Sequence, residues 1–515
     1  MIIAPSSWAK GDYFKYSTLF TAEKAKEGVQ SDMFQKKQLM TWGSFLSFLL
    51  ILSLSGCTSA IQKKKFATFN DLYASGQYQE AATVEVKEKS EVKDLLPALQ
   101  AAAALRYARE YNQSSLLFDQ CESLIKEHNE QLLVANSAAT LGSVLINDTI
   151  RDYQGTEYDG IMVNTYKALN FWQEGNSALA RVEFNRALDR QRRAKERFAT
   201  EIKKQKVDLE KKQEQENAKA EARAKMNKNG EKANVPAMDI NKNVNNPEID
   251  KILQEKYSSL YEFKTYPDFI NPFTTYMASL FFMSEKEYSK AATLLKETYG
   301  MVGDNETVQD DFLTIEKKLD GQKNNIPHTW IIFENGLGPE KEEFRIDLPI
   351  LLFTDKVKYS GIALPKLKFR DQAYQDLTIV SNGQSLCKTS LLASMDRVVQ
   401  TEFKKKYTAT VTRAVVSTLV KTYGQYLAQK QFGDIGGFAA AIFQGLTTSA
   451  DIRIWTALPK EFQIAKIQTP DNGKLVLETP TGDKINITVS PDKNTLVFVK
   501  IPKTGAKVVH DIITM

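Results

Sequence analysis

The chain has 515 residues, a mass of 58.1 kDa and a net charge of +5, with lysines and acidic residues interspersed along most of its length. This length allows two or three domains with cores of their own, and the small net charge argues against nucleic-acid binding. The three cysteines and three histidines show no Cys-x-x-Cys or paired-histidine spacing, so we expect no metal site and no cofactor.

The N-terminal region has the features of a secretory signal. Lys36 and Lys37 precede the apolar residues 45–54, a run too short to span a bilayer as a stop-transfer helix. A start at Met33 gives a signal of normal length. Residues 1–32 are therefore interpreted as a misassigned start or a disordered extension, with a translated cytoplasmic extension as the alternative.

The apolar run ends in Leu54-Ser55-Gly56-Cys57, which resembles the lipobox of bacterial lipoproteins. In that family of signals a peptidase cuts before the cysteine, whose thiol carries diacylglycerol. The resemblance implies a signal peptide over residues 33–56, lipidation of Cys57 and a lipidated tether over residues 57–65. Thr58 stands where retention in the inner membrane is associated with Asp, which implies anchoring in the outer membrane, facing the periplasm. The alternatives are an ordinary signal peptide and a buried cysteine.

The two remaining cysteines, Cys121 and Cys387, would lie in an oxidising compartment after export. Their separation in the sequence does not decide whether they pair. We favour two unpaired, buried thiols over a disulfide.

Residues 66–325 are predicted to be a helical-repeat domain. The Gly-x-Tyr-x-x-Ala pattern at Gly76–Ala81 resembles the turn within a tetratricopeptide repeat, where the tyrosine fills the gap and the alanine allows close helix approach. Similar spacings recur around Tyr111, Gly175 and Tyr288. Four such units favour a tetratricopeptide-like solenoid over an irregular helical bundle.

A charged arm is predicted between the third and fourth units. Residues 201–225 are rich in Lys, Glu, Gln and Ala, which favour helix, but they lack a sustained apolar heptad. Residues 227–246 are predicted to be a disordered tip, and Pro247 restarts a helix. We interpret residues 201–246 as a protruding helical hairpin with a solvated surface; a partner-binding arm is the alternative.

Residues 326–515 are predicted to form an α+β domain. Runs rich in β-branched and aromatic residues predict strands at 329–336, 343–348, 357–364, 377–381, 462–467, 474–478, 485–489 and 496–500. Turns at 471–473 and 481–483 are typical of hairpins.

A helical pair is predicted to interrupt these strands, at residues 390–431 and 436–448. The second helix is apolar on nearly every face, which predicts burial. Membrane insertion of this short run is the alternative interpretation.

Asp451, Arg453 and Trp455 form the most distinctive candidate constellation. Strand alternation would place all three side chains on one face, where the carboxylate and the guanidinium can pair. A structural ion pair beside a packed indole is the favoured interpretation, and an interaction site is the alternative.

The remaining polar candidates predict no catalytic residue. Glu334 and Glu340 flank a turn, where carboxylates are expected to be solvated, and His328 lacks a neighbouring nucleophile or carboxylate pair. The sequence contains no Gly-x-Ser-x-Gly, His-Glu-x-x-His or phosphate-loop motif. We therefore expect a protein that is not an enzyme.

Motifs spread over most of the mature chain resemble a broad family of bacterial lipoproteins with tetratricopeptide-like repeats. The matching positions are Asn147-Asp148, Arg151, Tyr153-x-Gly155, Glu157-Tyr158, Tyr166-x-Ala168-Leu169, Arg181-Val182-Glu183, Asn185-Arg186, Phe333–Leu337 with Pro339, Leu364-Pro365-Lys366 and Asp451-x-Arg453-x-Trp455-x-x-Leu458-Pro459. Members are often encoded beside small lipoproteins that resemble activators of penicillin-binding proteins, which implies a role in the cell envelope by association. Residues 1–32 and the charged arm depart from the family pattern.

Two functional hypotheses follow. The favoured one is a non-enzymatic scaffold, anchored in the outer membrane by lipid and facing the periplasm, that binds another envelope protein. The alternative is an envelope hydrolase or glycan-binding protein with its site in the C-terminal domain.

Overall fold

The structure is a computed structural model, and the residues it describes are 64–86, 92–134, 152–226, 246–258, 266, 271–322, 326–353, 356–407, 410–412, 414–419, 422 and 450–515. The predicted signal peptide, Cys57, tip residues 227–245 and the helix at 436–448 lie outside these ranges. Residues Phe66–Met515 belong to one compact unit. The fold is α+β, with helices in the first half of this unit and several sheets in the second.

The helices of the first half of the unit mostly pack against the next helix in the chain, except that Pro247–Lys256 packs against the strand-rich half. They are α1 (residues 64–74), α2 (Tyr78–Glu85), α3 (Leu95–Tyr107), α4 (Tyr111–Val134), α5 (Glu157–Gln173), α6 (Ser177–Met226), α7 (Pro247–Lys256), α8 (Pro272–Ser284), α9 (Tyr288–Val302) and α10 (Glu306–Leu319).

Within the described chain, the same turn joins four helix pairs: α1–α2, α3–α4, α5–α6 and α8–α9. One residue adopts positive φ, and the next amide donates to the carbonyl five residues earlier, which satisfies a carbonyl left free at the helix end; the positive-φ residues are Gly76, Arg109, Gly175 and Lys286. The fourth position of each following helix holds a small, fully buried side chain, and these are Ala81, Ser114, Ala180 and Ala291. The small side chains let the paired helices approach closely.

The strands form three sheets. Their bounds are β1 (His328–Asn335), β2 (Glu340–Phe353), β3 (Lys356–Lys368), β4 (Thr378–Ser381), β5 (Gln384–Lys388), β6 (Ser390–Ser394), β7 (Glu461–Gln468), β8 (Lys474–Glu478), β9 (Lys484–Thr488), β10 (Thr495–Ile501) and β11 (Val509–Thr514). A five-stranded sheet has the order β11-β10-β1-β7-β6, a four-stranded sheet has the order β5-β4-β8-β9, and β2 pairs with β3 alone. Strands β1 and β10 are parallel.

The five-stranded sheet is covered on both faces. Trp330, Ile332 and Phe498 belong to the core shared with the helices, whereas Ile331 and Val497 belong to the core shared with the four-stranded sheet. Successive strand residues point to opposite faces, so even-numbered residues of β1 and β10 face the helices. Burial on both faces explains why these strands read as continuous apolar runs.

Helix α10 is attached to this sheet through a buried carboxylate. Asp311 is fully buried and accepts hydrogen bonds from the hydroxyl of Tyr276 and from the indole nitrogen of Trp330, the latter at 3.0 Å. Lys466 of β7 lies 2.7 Å from the same carboxylate. Donors from α8, β1 and β7 thus converge on one helix residue.

A smaller core forms beside the β2–β3 hairpin. Ile249 and Leu253 of α7 contact Ile346 of β2 together with residues 411–419, and the Tyr257 hydroxyl donates to the Pro365 carbonyl at 2.8 Å. The chain that follows the charged arm therefore returns to the hairpin.

The structure corrects two predictions for the strand-rich half. Residues 390–394 form strand β6, and helix α11 begins only at residue 395; it covers residues 395–407, and residues 410–412, 414–419 and 422 are also helical. The turn at 471–473 joins β7 and β8, which belong to different sheets, so it closes no hairpin, whereas the turn at 481–483 joins the paired strands β8 and β9. Local patterns do not reveal these assignments, because pairing with distant strands decides them.

The two tyrosines that follow the first and last repeated turns should differ in their contribution to stability. Tyr78 is buried and its ring lies 5.0 Å from that of Tyr73, whereas Tyr288 is only partly buried. We expect Tyr78→Ala to cost about 3–5 kcal/mol of unfolding free energy and Tyr288→Ala clearly less. Chemical denaturation measures both, with Tyr299→Ala as the exposed control; equal losses for Tyr78 and Tyr288 would contradict the packing described.

Candidate functional site

The predicted constellation Asp451, Arg453 and Trp455 does not lie on a strand. Residues 450–455 have no regular secondary structure, because the Asp451 carboxylate accepts from the Arg453 backbone amide at 3.0 Å and closes a local turn. The predicted ion pair is present: the Arg453 guanidinium donates to both Asp451 oxygens at 2.9 Å. Trp455 is buried against Phe118 and Tyr166.

The next residues form a strap, residues 456–459, held between helices and sheet. Gln100 of α3 donates to the Thr456 hydroxyl at 2.7 Å and accepts from the Ala457 amide at 3.1 Å. Tyr73 of α1 donates to the Ala457 carbonyl at 2.8 Å, and Arg370 donates to the Thr456 carbonyl at 2.7 Å. These contacts give the distinctive motif a structural role.

Glu334 contradicts the expectation of a solvated carboxylate. It lies at the end of β1, is 1% exposed and faces the helices. Its Oε2 accepts from the hydroxyl of Tyr107 on α3 and from that of Tyr166 on α5, the latter at 3.3 Å. The apolar run before Glu334 indicated a strand, but the helices that cover its end could not be read locally.

Asn335 and Gly336 shape the turn that follows. The Asn335 side-chain oxygen accepts from the amides of Ala373 and Tyr374 at 3.0 and 3.2 Å. Gly336 has φ of +66°, and a Cβ there would lie 3.1 Å from the Asp371 carbonyl oxygen. The neighbouring loop therefore needs both residue types.

The candidate functional site is a polar groove between α4 and α6, with α5 beneath it. Its volume is about 500 Å³, and it is lined by Asp119, Glu122, Ser123, Lys126, Asn129 and Glu130 of α4 and by Arg186 and Arg190 of α6. The Lys126 and Asp119 side chains at its rim are 76% and 55% exposed. We call it the α4–α6 groove.

A buried lysine organises the floor of the groove. Lys167 of α5 is 1% exposed, and its Nζ lies 2.6 Å from Asp119 Oδ1, 3.1 Å from Glu122 Oε2 and 3.0 Å from Glu183 Oε1. Burial opposes the charged amine, but the hydrogen bond to Asp119 and the charges of Glu183 and Glu122 raise the pKa of Lys167. The Lys167 ammonium thus forms ion pairs with acidic side chains of both groove walls, α4 and α6.

Arg190 connects the wall to the floor. Its Nε donates to Asn164 Oδ1 at 2.6 Å, and its NH2 lies 2.9 Å from Glu122 Oε1. The guanidinium passes over Gly160, where an added Cβ would lie 3.1 Å from NH1. Asn164 also donates to Glu183 at 2.6 Å, so side chains of α4, α5 and α6 share one network.

Sequence reasoning did not identify this groove as a site. Glu183 and Arg186 of α6 belong to the motifs that suggested the family resemblance, but Glu122 lies on α4 and Lys167 on α5, so no local stretch contains the whole groove. The residue that could have indicated the groove is Lys167, which lies on the otherwise buried face of α5. A buried lysine requires acidic partners, and neighbouring helices must supply them.

Other sequence-based expectations have the following outcomes. Cys121 and Cys387 are free; Cys121 is buried and Cys387 partly buried. His328 lies beside Trp330, with ring centroids 6.0 Å apart and ring planes tilted by 50°, and Glu340 pairs with Arg370 at 3.2 Å. In the described ranges, no cluster of His, Cys, Asp and Glu side chains could hold a metal ion, and no helix is long and apolar enough to cross a membrane.

Comparison with known proteins gives no relative. No family model, curated protein sequence or solved structure matches the chain.

The groove network should stabilise the fold in an acid-sensitive manner. Burial alone would raise the pKa of Glu122, but Lys167 and Arg190 outweigh it and lower that pKa from 4.5 to about 2. A lowered carboxyl pKa contributes stability that is present above pH 4.5 and is lost as the pH falls through about 2. We expect the thermal midpoint of Glu122→Gln to fall less steeply than that of the wild type across this window.

The control for this titration is Glu130→Gln, at an exposed rim position. Parallel wild-type and Glu122→Gln profiles between pH 4.5 and 2 would contradict the assignment.

Proposed function

We propose that the protein is a lipid-anchored scaffold of the bacterial envelope, attached to the outer membrane, facing the periplasm and binding another envelope protein through the α4–α6 groove. The lipobox at Leu54–Cys57 supports the anchoring and the location. The observation that carries the binding role is the groove itself, which has a pre-organised floor and exposed charges of both signs at its rim.

The helix pairs support a tetratricopeptide-like solenoid as the framework of the scaffold. Four pairs share one turn geometry and a small buried residue at the same position of the second helix. Repeats that stack in this way create extended surfaces in which several neighbouring helices contribute to one binding site. We propose that α6, which extends to Met226, forms the first helix of the predicted protruding arm.

The chemistry of the groove favours binding over catalysis. Lys167 is saturated by three carboxylates, and Glu122 is held ionised by Lys167 and Arg190. A general base needs a pKa near the working pH, and a nucleophile needs an adjacent base. A partner segment that carries both lysine or arginine and acidic side chains complements the rim, where such pairs contribute mainly to specificity and association rate.

Substitution of the lipobox cysteine tests the anchor. We expect Cys57→Ala to abolish labelling with a lipid precursor and to release the protein from the membrane fraction, because the acyl chains provide the attachment. Metabolic labelling and fractionation measure both effects, with Cys121→Ala as the control cysteine substitution. If the Cys57→Ala variant keeps both the lipid label and its membrane association, the lipoprotein assignment is wrong.

Site-specific photocrosslinking tests the groove. A photoreactive residue at Ser123, which lines the groove, should capture an envelope protein in cells, whereas the same residue at exposed Ser289 of α9 should not. Lys126→Glu should reduce the Ser123 adduct at least severalfold by reversing a rim charge, and Lys296→Glu on the exposed surface of α9 should leave it unchanged.

Identical adducts from both positions, or adducts insensitive to Lys126→Glu, would overturn the groove assignment. Turnover of purified cell-wall material by the protein would instead favour the hydrolase alternative.

A further inference from the structure

The interior between the helices and the five-stranded sheet holds more positive than negative charge. Arg106 of α3 and Lys500 of β10 are 3% and 2% exposed, and they face one carboxylate, Glu334 of β1. The register pairs Glu334 directly with Lys500 on the parallel strands. Burial of a cation without full compensation costs several kcal/mol, so this arrangement restricts which side chains are charged.

The Glu334 carboxylate compensates the positive charge of a protonated Lys500 only in part. Its Oε2 lies 3.9 Å from the Lys500 amine, beyond hydrogen-bond distance, and already accepts from Tyr107 and Tyr166. Among the described residues, no acceptor bonds the Lys500 amine. Its other close neighbours are the rings of Tyr107 and Tyr73, with centroids 5.0 and 6.0 Å away. The ring faces attract an ammonium weakly, but burial without a hydrogen-bond acceptor favours the neutral form of this amine.

The remaining charged groups make protonation of Lys500 less favourable. Arg106 donates to Asn170 at 2.6 Å and lies over the Tyr166 ring at 5.4 Å, so it remains a cation without a carboxylate hydrogen bond in the described network. Arg370, beside Tyr73, acts on Lys500 as a like charge. Tyr78 of α2 lies next to Tyr107, with ring centroids 5.4 Å apart. In the described part of the chain, the titratable groups that act on or contact the amine are thus Glu334, Arg370, Tyr73 and Tyr107.

The same helix connects this interior to the α4–α6 groove. Tyr166, which contacts Glu334, precedes Lys167, which forms the groove floor. One turn further along α5, Asn170 receives the Arg106 hydrogen bond and donates to Ser114 and Ser115 of α4 at 3.0 and 3.1 Å. A displacement of α5 from the sheet must therefore move the groove floor and wall together.

We propose that Lys500 is a proton-responsive latch between the sheet and α5. With a neutral amine, α3 and α5 dock firmly on β1 and β10. Protonation places an incompletely compensated charge beneath Tyr107 and Tyr166, weakens this docking and loosens the floor of the α4–α6 groove. The regulatory consequence rests on the proposed function of the groove, whereas the latch itself requires no partner.

The direction of titration follows from the environment of the amine. The pKa of Lys500 is lowered from 10.5 to about 8, chiefly by burial; the Glu334 charge opposes this shift in part, and the Arg370 charge adds to it. The folded state loses the Lys500 proton at a lower pH than the unfolded state does. Protonation of Lys500 therefore lowers the free energy of unfolding, and this effect is complete below about pH 8. Stability then rises with pH towards 10.5.

Hydrogen exchange of the full-length protein in detergent tests the latch without a partner. Between pH 7 and 9.5 we expect the protection factors of the α5 amides, corrected for intrinsic exchange, to rise by roughly 25-fold relative to those of Lys500→Met. Lys500→Met should also protect α5 better than the wild type at pH 7, because it removes the buried charge. Lys474→Met, on the exposed strand position of β8, is the matched control and should follow the wild type.

Glu334→Gln provides a second, independent variant. Loss of the carboxylate should move the midpoint of the pH-dependent protection below the wild-type value, since the substitution removes the Glu334 charge that raises the Lys500 pKa. A wild-type profile parallel to that of Lys500→Met, or an unmoved midpoint in Glu334→Gln, overturns the latch. Those results leave the photocrosslinking outcome at Ser123 unaffected, so failure of the latch and failure of the groove are distinguishable.

Discussion

The five-stranded sheet imposes the main constraint on this structure, because both of its faces are buried. One face meets the helices and the other meets the four-stranded sheet. Several buried polar side chains on β1 and β7 therefore take partners from another layer, as unpaired buried polar groups are costly. Asp311 of α10 satisfies Trp330 and Lys466, and Tyr107 and Tyr166 satisfy Glu334. The helices are positioned on the sheet by these polar contacts as well as by apolar packing.

The strap at residues 456–459 shows how the two halves of the unit depend on each other. Its backbone accepts a hydrogen bond from Tyr73 of α1 and donates one to Gln100 of α3, while the chain on its C-terminal side enters β7. Helices that begin the described chain are thus fastened to the segment that leads back into the sheet. The Asp451–Arg453 ion pair holds the conformation of the residues that precede this strap. Its role is therefore structural, and it provides no exposed reactive group.

Helix α5 carries two adjacent residues that make contacts on opposite sides of the helix layer. Tyr166 contacts the sheet through Glu334, and Lys167 gathers acidic side chains of α4 and α6. Because the residues are neighbours on one rigid helix, the groove and the buried interface are mechanically joined. A saturated ionic floor with exposed charges above it is suited to recognising another protein, since the floor stays fixed while the rim makes the contacts.

Local sequence patterns predicted the helical first half, the strand-rich second half and most strand positions. They succeeded because periodicity and turn chemistry act over a few residues. Only the tertiary structure decided that β1 pairs in parallel with β10, that Glu334 is buried and that residues 450–455 form no strand. It also decided the groove, whose Glu122, Lys167 and Glu183 come from three helices. Those outcomes depend on which distant side chain supplies a hydrogen bond or a countercharge, and that information is not contained in any local stretch of the chain.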